Sequence, residues 1–425
     1  MKLYFRKTSL PVLFEFILFI SLVETSFFYF FKLLGYRQFQ MIPYLRLVSL
    51  FFTLLFFLKS KFYHKNFFKI SLKANSENLL VLGWVSFTIL GFLVGILHRN
   101  SILYLFTDMI YILFGYFLYR IFYNNQKLLD EITVELTLRQ EHYFVIAILF
   151  FSVIAVFLSI DLPSFTIVFT LVYALYHYNK KNYGLMFLYV LPFFFQILKS
   201  NRALLLVFIL VLFFAFVQKR FSKKNINDFL LLLVVFLLLC FFFLDDILKV
   251  IINYFPENST LKGRLVQIYL LLKGNADWNS PALLSLSQRI VEAKAVIIYW
   301  CLNPFNFLFG GGMGATIEGF SFKDSGIADS ALLGKTAIHN IHLLPFSLIF
   351  RYGVIGIGLF FMLVYNLFKY LFRIILWESS LFKTLIVFQF CWILYSFPAA
   401  SYLWTCPLFW ITLAYVSNEK RINFS

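Results

Sequence analysis

The chain has 425 residues, of which 61% are hydrophobic, 22% aromatic and only 13% charged. Charged residues make up roughly a quarter of an ordinary soluble domain, so the composition excludes a soluble globular protein and points to a polytopic membrane protein. The formal net charge is +17, but no basic–aromatic groove pattern accompanies it, which excludes nucleic acid as a partner.

In chain order, a basic start (Lys2, Arg6, Lys7) precedes the apolar run Leu10–Leu34. That run is too long for a signal-peptide core and has no A-x-A cleavage site, so it reads as the first retained span. Further spans follow at Met41–Leu58, Asn78–Leu97, Ser101–Phe122, Tyr143–Ser159, Pro163–Tyr178, Tyr183–Leu198, Arg202–Val217 and Asp228–Ile252. A mostly polar stretch, 253–342, then interrupts the pattern. The spans Leu343–Leu371, Leu381–Phe397 and Ser401–Val416 follow before a basic tail. At ~20 apolar residues per crossing, fewer where neighbours shield the ends, the expectation is an all-α membrane protein of about twelve helices. Nine lie in 1–252 and three in 343–425, with one large external loop holding short helices between them.

The lysine-rich segments (Lys59–Lys73, Lys180 and Lys181, Lys219–Lys224, Lys369 and Arg373, Lys420 and Arg421) each flank a span. With the N-terminus inside, all of them fall on the cytoplasmic side, as does the C-terminus, while the long polar loop falls outside; one miscounted span would break that agreement. The segment Tyr123–His142 is the exception, slightly acidic and readable as an interfacial helix. Inside the loop, Leu283–Leu302 reads as a helix lying on or dipping into the membrane, with Asn303-Pro304 as its stop. As two full crossings it would set Arg289, Glu292 and Lys294 in lipid at several kcal/mol of cost. The cysteines Cys240, Cys301, Cys391 and Cys406 form no C-x-x-C and support neither a disulfide framework nor a zinc site.

Candidate chemistry concentrates toward the external face. Arg202, in KSNRALLLVF, opens a span at a depth where an arginine needs a partner; the plainer reading is snorkelling to the interface. Arg289, in SLSQRIVEAK, either binds a ligand or pairs locally with Glu292 one turn on. The cluster Gly310-Gly311-Gly312-Met313-Gly314 lacks the G-K-[ST] of a nucleotide loop. Gly312 and Gly314 read either as parts of a sharply turned loop or as sites where a phosphate approaches the backbone. His339, Asn340 and His342 open the next span, and histidine exchanges a proton near neutral pH. His339 and His342 at i, i+3 lack an acidic partner at ligand spacing, so no metal site is expected. Glu15, Glu24, Arg46 and Asp108 fall within spans, where internal pairing is the default and Arg46 could line a cavity.

Taken together, NRALLL, SLSQRIVEAK followed by NPFNFLFGGGMG, and HNIHLLPFSLIFRYGVIGIGLFF resemble the bacterial O-antigen ligase and O-antigen polymerase superfamily of membrane glycosyltransferases. The resemblance covers roughly Lys199–Phe361, with Asn201 standing where the family has a small hydroxyl residue. It implies a GT-C-like fold in the bacterial cytoplasmic membrane with its active face periplasmic or extracellular. The donor would be an undecaprenyl-diphosphate-linked glycan, and neither metal nor other cofactor would be needed. Carried over by position, Arg202 and Arg289 would bind the diphosphate and His339 would take the acceptor proton, with Asn340, His342, Gly312, Gly314 and Arg46 in support. The acceptor would be another lipid-linked glycan for a polymerase, the preferred expectation, or lipid A core for a ligase. Membrane lipid surrounds the protein, and a chain-length regulator is a further candidate partner. The competing class is a transporter, for instance a flippase of lipid-linked sugar, which predicts mid-membrane charges and mirrored halves not legible here.

Overall fold

A computed structural model of the chain describes residues 75–124, 141–157, 164–197, 202–220, 284–317, 338–376 and 381–417, with isolated positions at 50–51, 54–55, 162, 235, 249, 252–254, 262–263, 266 and 269–270. The span expected at Leu10–Leu34, most of Met41–Leu58 and of Asp228–Ile252, Arg46, most of the interfacial segment and the basic tail lie outside them. Thirteen helices are described: α1 (Ser76–Leu97), α2 (Ile102–Asn124), α3 (Glu141–Phe157), α4 (Ser164–Asn179), α5 (Tyr183–Ile197), α6 (Arg202–Arg220), α7 (Leu284–Cys301), α8 (Pro304–Phe309), α9 (Leu344–Tyr352), α10 (Val354–Leu376), α11 (Leu381–Ser396), α12 (Ser401–Thr405) and α13 (Pro407–Ser417). The molecule is a helical membrane protein. Ser76–Leu97, Ile102–Tyr123 and Val354–Ile374 are long and apolar enough to cross a bilayer, and shorter apolar helices such as Pro407–Ser417 and Thr384–Ser396 pack beside them. On α10 the exposed side chains Phe361, Tyr365, Phe368 and Phe372 recur at i, i+4, i+7 and i+11, a stripe that only lipid can solvate favourably.

The α1–α2 hairpin, α10 and α13 form the half of the bundle that carries the candidate site. Trp84 of α1 meets Trp404, Phe409 and Trp410 edge-on or tilted, with ring centroids 5.7–6.3 Å apart. Gly115 of α2 lies flat against the Trp410 indole, where any Cβ would collide. α4, α5 and α6 form the other half, joined to the first through α11. A charge cluster marks one end of the bundle. Lys369 Nζ donates to Glu77 Oε2 and Ser76 Oγ, each at 2.7 Å, and Arg373 lies 3.6 Å from the same buried carboxylate. Because α1 leaves this end while α2 and α10 run toward it, Asn100, Asp108 and Gly353 belong to the opposite end.

Two expected spans prove to be broken. Leu343–Leu371 is not one helix: α9 stops at Gly353, whose φ of 61° takes it out of the helical region, and α10 starts afresh. The break leaves the Phe350 and Arg351 carbonyls without helical partners in an apolar setting. They accept instead from Gly311 N at 2.8 Å and Gly312 N at 3.1 Å, so the glycine loop completes a helix end. Ser401–Val416 is likewise split, between α12 and α13. Cys406, at φ −80° and ψ 113°, is extended ahead of Pro407, which lacks an N–H and disfavours helix in the residue before it. Asn303-Pro304 does end α7, but it also begins α8. The Asn303 side chain accepts from Asn306 N at 2.7 Å and Pro304 occupies the first turn.

Candidate functional site

The glycine loop is seated on the bundle by local chemistry. Gly310, Gly312 and Gly314 all have φ between 70° and 76°, a region costly to residues with a Cβ. A Cβ on Gly312 would strike the Gly95 amide and the Gly91 carbonyl, and one on Gly95 would strike the Met313 carbonyl. The close approach these glycines allow is therefore to the backbone of α1, through its own Gly91-x-x-x-Gly95 face. Asn100, just past α1, locks the contact: its Nδ2 donates to the Gly311 and Met313 carbonyls, each at 2.8 Å.

Below the loop lies a buried ionic group that the sequence marked only as an internally paired carboxylate. Asp108 stands six residues into α2, about 9 Å down the helix at 1.5 Å per residue. Its Oδ2 accepts from Arg351 Nε at 3.3 Å and from Gly314 N at 3.1 Å; its Oδ1 accepts from Arg351 Nη2 at 3.4 Å. Arg351 also donates through Nη1 to Ser347 Oγ at 2.6 Å, one turn back on α9, and lies 5.1 Å over the Trp404 ring. The space beside the pair, walled by Ile112, Met313, Tyr352 and Trp404, is too small to admit a water molecule. Two opposite charges fixed in such a dry place hold the structure together and have no room for substrate.

His339 joins this group from the far side of the loop. Its Nδ1 lies 2.8 Å from the Ala315 carbonyl and its Nε2 3.3 Å from Asp108 Oδ1. The ring stacks on Tyr104 at 4.4 Å and 9°, and only 10% of the side chain is exposed. Both nitrogens face groups that only accept, the Ala315 carbonyl and the Asp108 carboxylate, so neither is open to a further partner. In this arrangement His339 ties the loop to α2.

His342, three residues on, is placed differently. Glu292 of α7, 1% exposed, accepts from the His342 backbone N–H at 3.0 Å, and each of its oxygens lies 2.9 Å from the ring Nδ1. The His342 side chain is 46% exposed. Its backbone is held too, since Ala400 N donates to the His342 carbonyl at 2.7 Å and Leu344 N to the Phe397 carbonyl at 2.9 Å. Asn340 is exposed between the two histidines. Beneath them Ile317 and Ile338 pair in a short antiparallel bridge at the foot of the segment. Tyr299 of α7 packs against Phe350 at 5.4 Å, and burial pushes its phenol up, so it stays neutral.

Of the residues expected at the site, Arg289 is half-buried on α7, one turn before Glu292 and on the same face by i, i+3 spacing. Glu292 thereby links the arginine-bearing helix to the histidine segment. Arg202 opens α6, but its side chain and Arg46 lie outside the described residues. Among the described residues, no three His, Cys, Asp or Glu side chains gather as metal ligands do. Sequence reasoning missed Arg351 and the Gly91-x-x-x-Gly95 face. The latter had a signal, two small residues four apart in an apolar run.

Against known proteins, the chain matches no family model, no curated protein and no solved structure.

Proposed function

We propose that the chain is a membrane glycosyltransferase that acts on an undecaprenyl-diphosphate-linked glycan at the outer face of the bacterial cytoplasmic membrane, and that it polymerises surface-polysaccharide repeat units. The observation that carries the reading is the meeting of an arginine-bearing helix and a histidine segment at one end of an apolar bundle, joined through a buried carboxylate. The end opposite carries the Lys369–Arg373 cluster, the kind of charge that marks a cytoplasmic boundary. A polyprenyl diphosphate needs this layout, since its tail belongs in lipid and its charge at the interface.

As the glycosidic bond breaks, negative charge grows on the departing diphosphate. Guanidinium groups at Arg289 and Arg202 stabilise that developing charge, forking onto two phosphate oxygens where a lysine offers one point charge. The acceptor hydroxyl must lose a proton as it attacks, and the histidine segment between the loop and α9 supplies the base. Buried charges lie toward the two ends of the bundle in Asp108–Arg351 and Glu77–Lys369, a distribution that favours chemistry at a face over a transport path.

Wild-type protein reconstituted in proteoliposomes with lipid-linked repeat units from its own host should form longer lipid-linked glycans. Arg202→Ala and Arg289→Ala should each lower the rate at least 100-fold. Movement of the lipid without bond formation would replace this reading with a transporter. In cells lacking the gene, surface lipid capped by a single repeat marks a polymerase. Uncapped core with accumulated lipid-linked polymer would assign the ligase reaction instead.

A further inference from the structure

We propose that His342, held by Glu292, is the proton acceptor of this reaction, and that His339 serves to anchor the loop. The inference rests on the glycosyl-transfer reading above and names the residue that acts within it. Two histidines stand three residues apart, and the structure separates them by what their ring nitrogens touch. His339 has both nitrogens committed, one to a carbonyl and one to Asp108, with its face covered by Tyr104. A ring so placed has no nitrogen open to an incoming hydroxyl.

His342 has one committed nitrogen. Its Nδ1 is within 2.9 Å of both Glu292 oxygens, and a carboxylate can only accept, so the Nδ1 proton points inward. In the neutral ring this leaves the lone pair on Nε2, on a side chain nearly half exposed at the site's surface. A base oriented by a buried carboxylate, with its second nitrogen outward, is the working part of a proton-transfer dyad. Glu292 sits in a nearly sealed position where an unpartnered carboxylate would be costly, and the His342 amide gives it a second hydrogen bond. The carboxylate fixes the ring's orientation and stabilises the imidazolium once it forms. Glu292 is thus a positioning residue and His342 the group that meets the acceptor.

In the transfer step, the acceptor oxygen forms its bond to the anomeric carbon while its proton passes to His342 Nε2. The bond from that carbon to the diphosphate oxygen breaks, and the diphosphate leaves with the electron pair into the arginine side of the site. The imidazolium, open at the surface, then returns its proton to water. Arg289, one turn from Glu292 on α7, puts the diphosphate-binding group and the carboxylate that orients His342 on a single rigid element, which suits a reaction needing both at once.

The test uses the full-length protein in proteoliposomes with the same lipid-linked repeat. His342→Asn places an amide nitrogen near Nδ1, so the link to Glu292 remains while Nε2 is lost. Its kcat should fall at least 100-fold with KM for the donor within about threefold of wild type. Glu292→Gln should lower kcat about tenfold or more, again with little change in KM. His339→Gln should lower the melting temperature yet keep more transfer than His342→Asn, and the exposed Lys294→Ala should match wild type. A second readout needs no variant. Diethylpyrocarbonate modification of the wild-type protein, mapped by mass spectrometry, should abolish transfer in step with His342 labelling, and hydroxylamine should restore it. Wild-type kcat in His342→Asn, or full transfer with His342 fully modified, would overturn the assignment and leave the glycosyltransferase reading intact. A wild-type protein that forms no glycosidic bond would remove both.

Discussion

Asp108 and Arg351, 243 positions apart, meet as a forked ion pair, with Nε to Oδ2 at 3.3 Å and Nη2 to Oδ1 at 3.4 Å, both side chains buried. The pair sits where α2, the break after α9 and the glycine loop converge, so one carboxylate holds three separate pieces of chain in place. Through His339 it holds a fourth.

Removing half of the pair should therefore be worse than removing all of it. Asp108→Ala leaves a buried guanidinium without its partner and should cost on the order of 3–5 kcal/mol. The double variant Asp108→Leu with Arg351→Met should recover most of that loss, because no buried charge remains. Thermal unfolding in detergent, followed by tryptophan fluorescence, measures both. A single variant as stable as wild type would show that the pair does not brace the loop.

The glycine loop offers a steric counterpart. Gly312→Ala must adopt a φ of 76° and set its methyl against the Gly95 amide, so strain of ~1–2 kcal/mol adds to an overlap of ~1–3 kcal/mol. Gly358, inside α10 with no atom within 4 Å of a Cβ, is the control. There alanine should be neutral or slightly stabilising, since it favours the helix by about 1 kcal/mol over glycine. Equal melting temperatures for the two variants would refute the backbone-contact account.

Cysteine accessibility reports the sidedness that the proposed function needs. Cys301, at the end of α7, is exposed, whereas Cys391 and Cys406 are buried. In a Cys240→Ser background, a membrane-impermeant maleimide applied from outside the cytoplasmic membrane should modify Cys301 and spare the other two until the protein is denatured. Labelling of Cys301 only after the cytoplasm is opened would put the dyad on the wrong face for a lipid-linked donor.

Much of the helical order was legible in the sequence. Expected Tyr183–Leu198 and observed Tyr183–Ile197 differ by one residue, and expected Pro163–Tyr178 differs from Ser164–Asn179 by one at each end. Such limits are local: an apolar run bounded by charges or a turn has few other ways to satisfy its backbone in lipid. The same hydropathy hid the breaks at Gly353 and Cys406, because apolar residues continue across both. What lets the chain stop there is a set of amide and carbonyl partners from elsewhere, such as Gly311 and Gly312 for Phe350 and Arg351.

The site divides the same way. Composition and charge placement alone determined that this is a membrane protein with its chemistry-bearing residues gathered in a few polar segments, since the cost of burying charge in lipid is paid residue by residue. Which histidine is tied down and which keeps an open nitrogen was decided only by tertiary structure. Asp108 reaches His339 across 231 positions and Glu292 reaches His342 across 50. A ring nitrogen's role depends on the atom facing it, and that atom is set by how the helices pack.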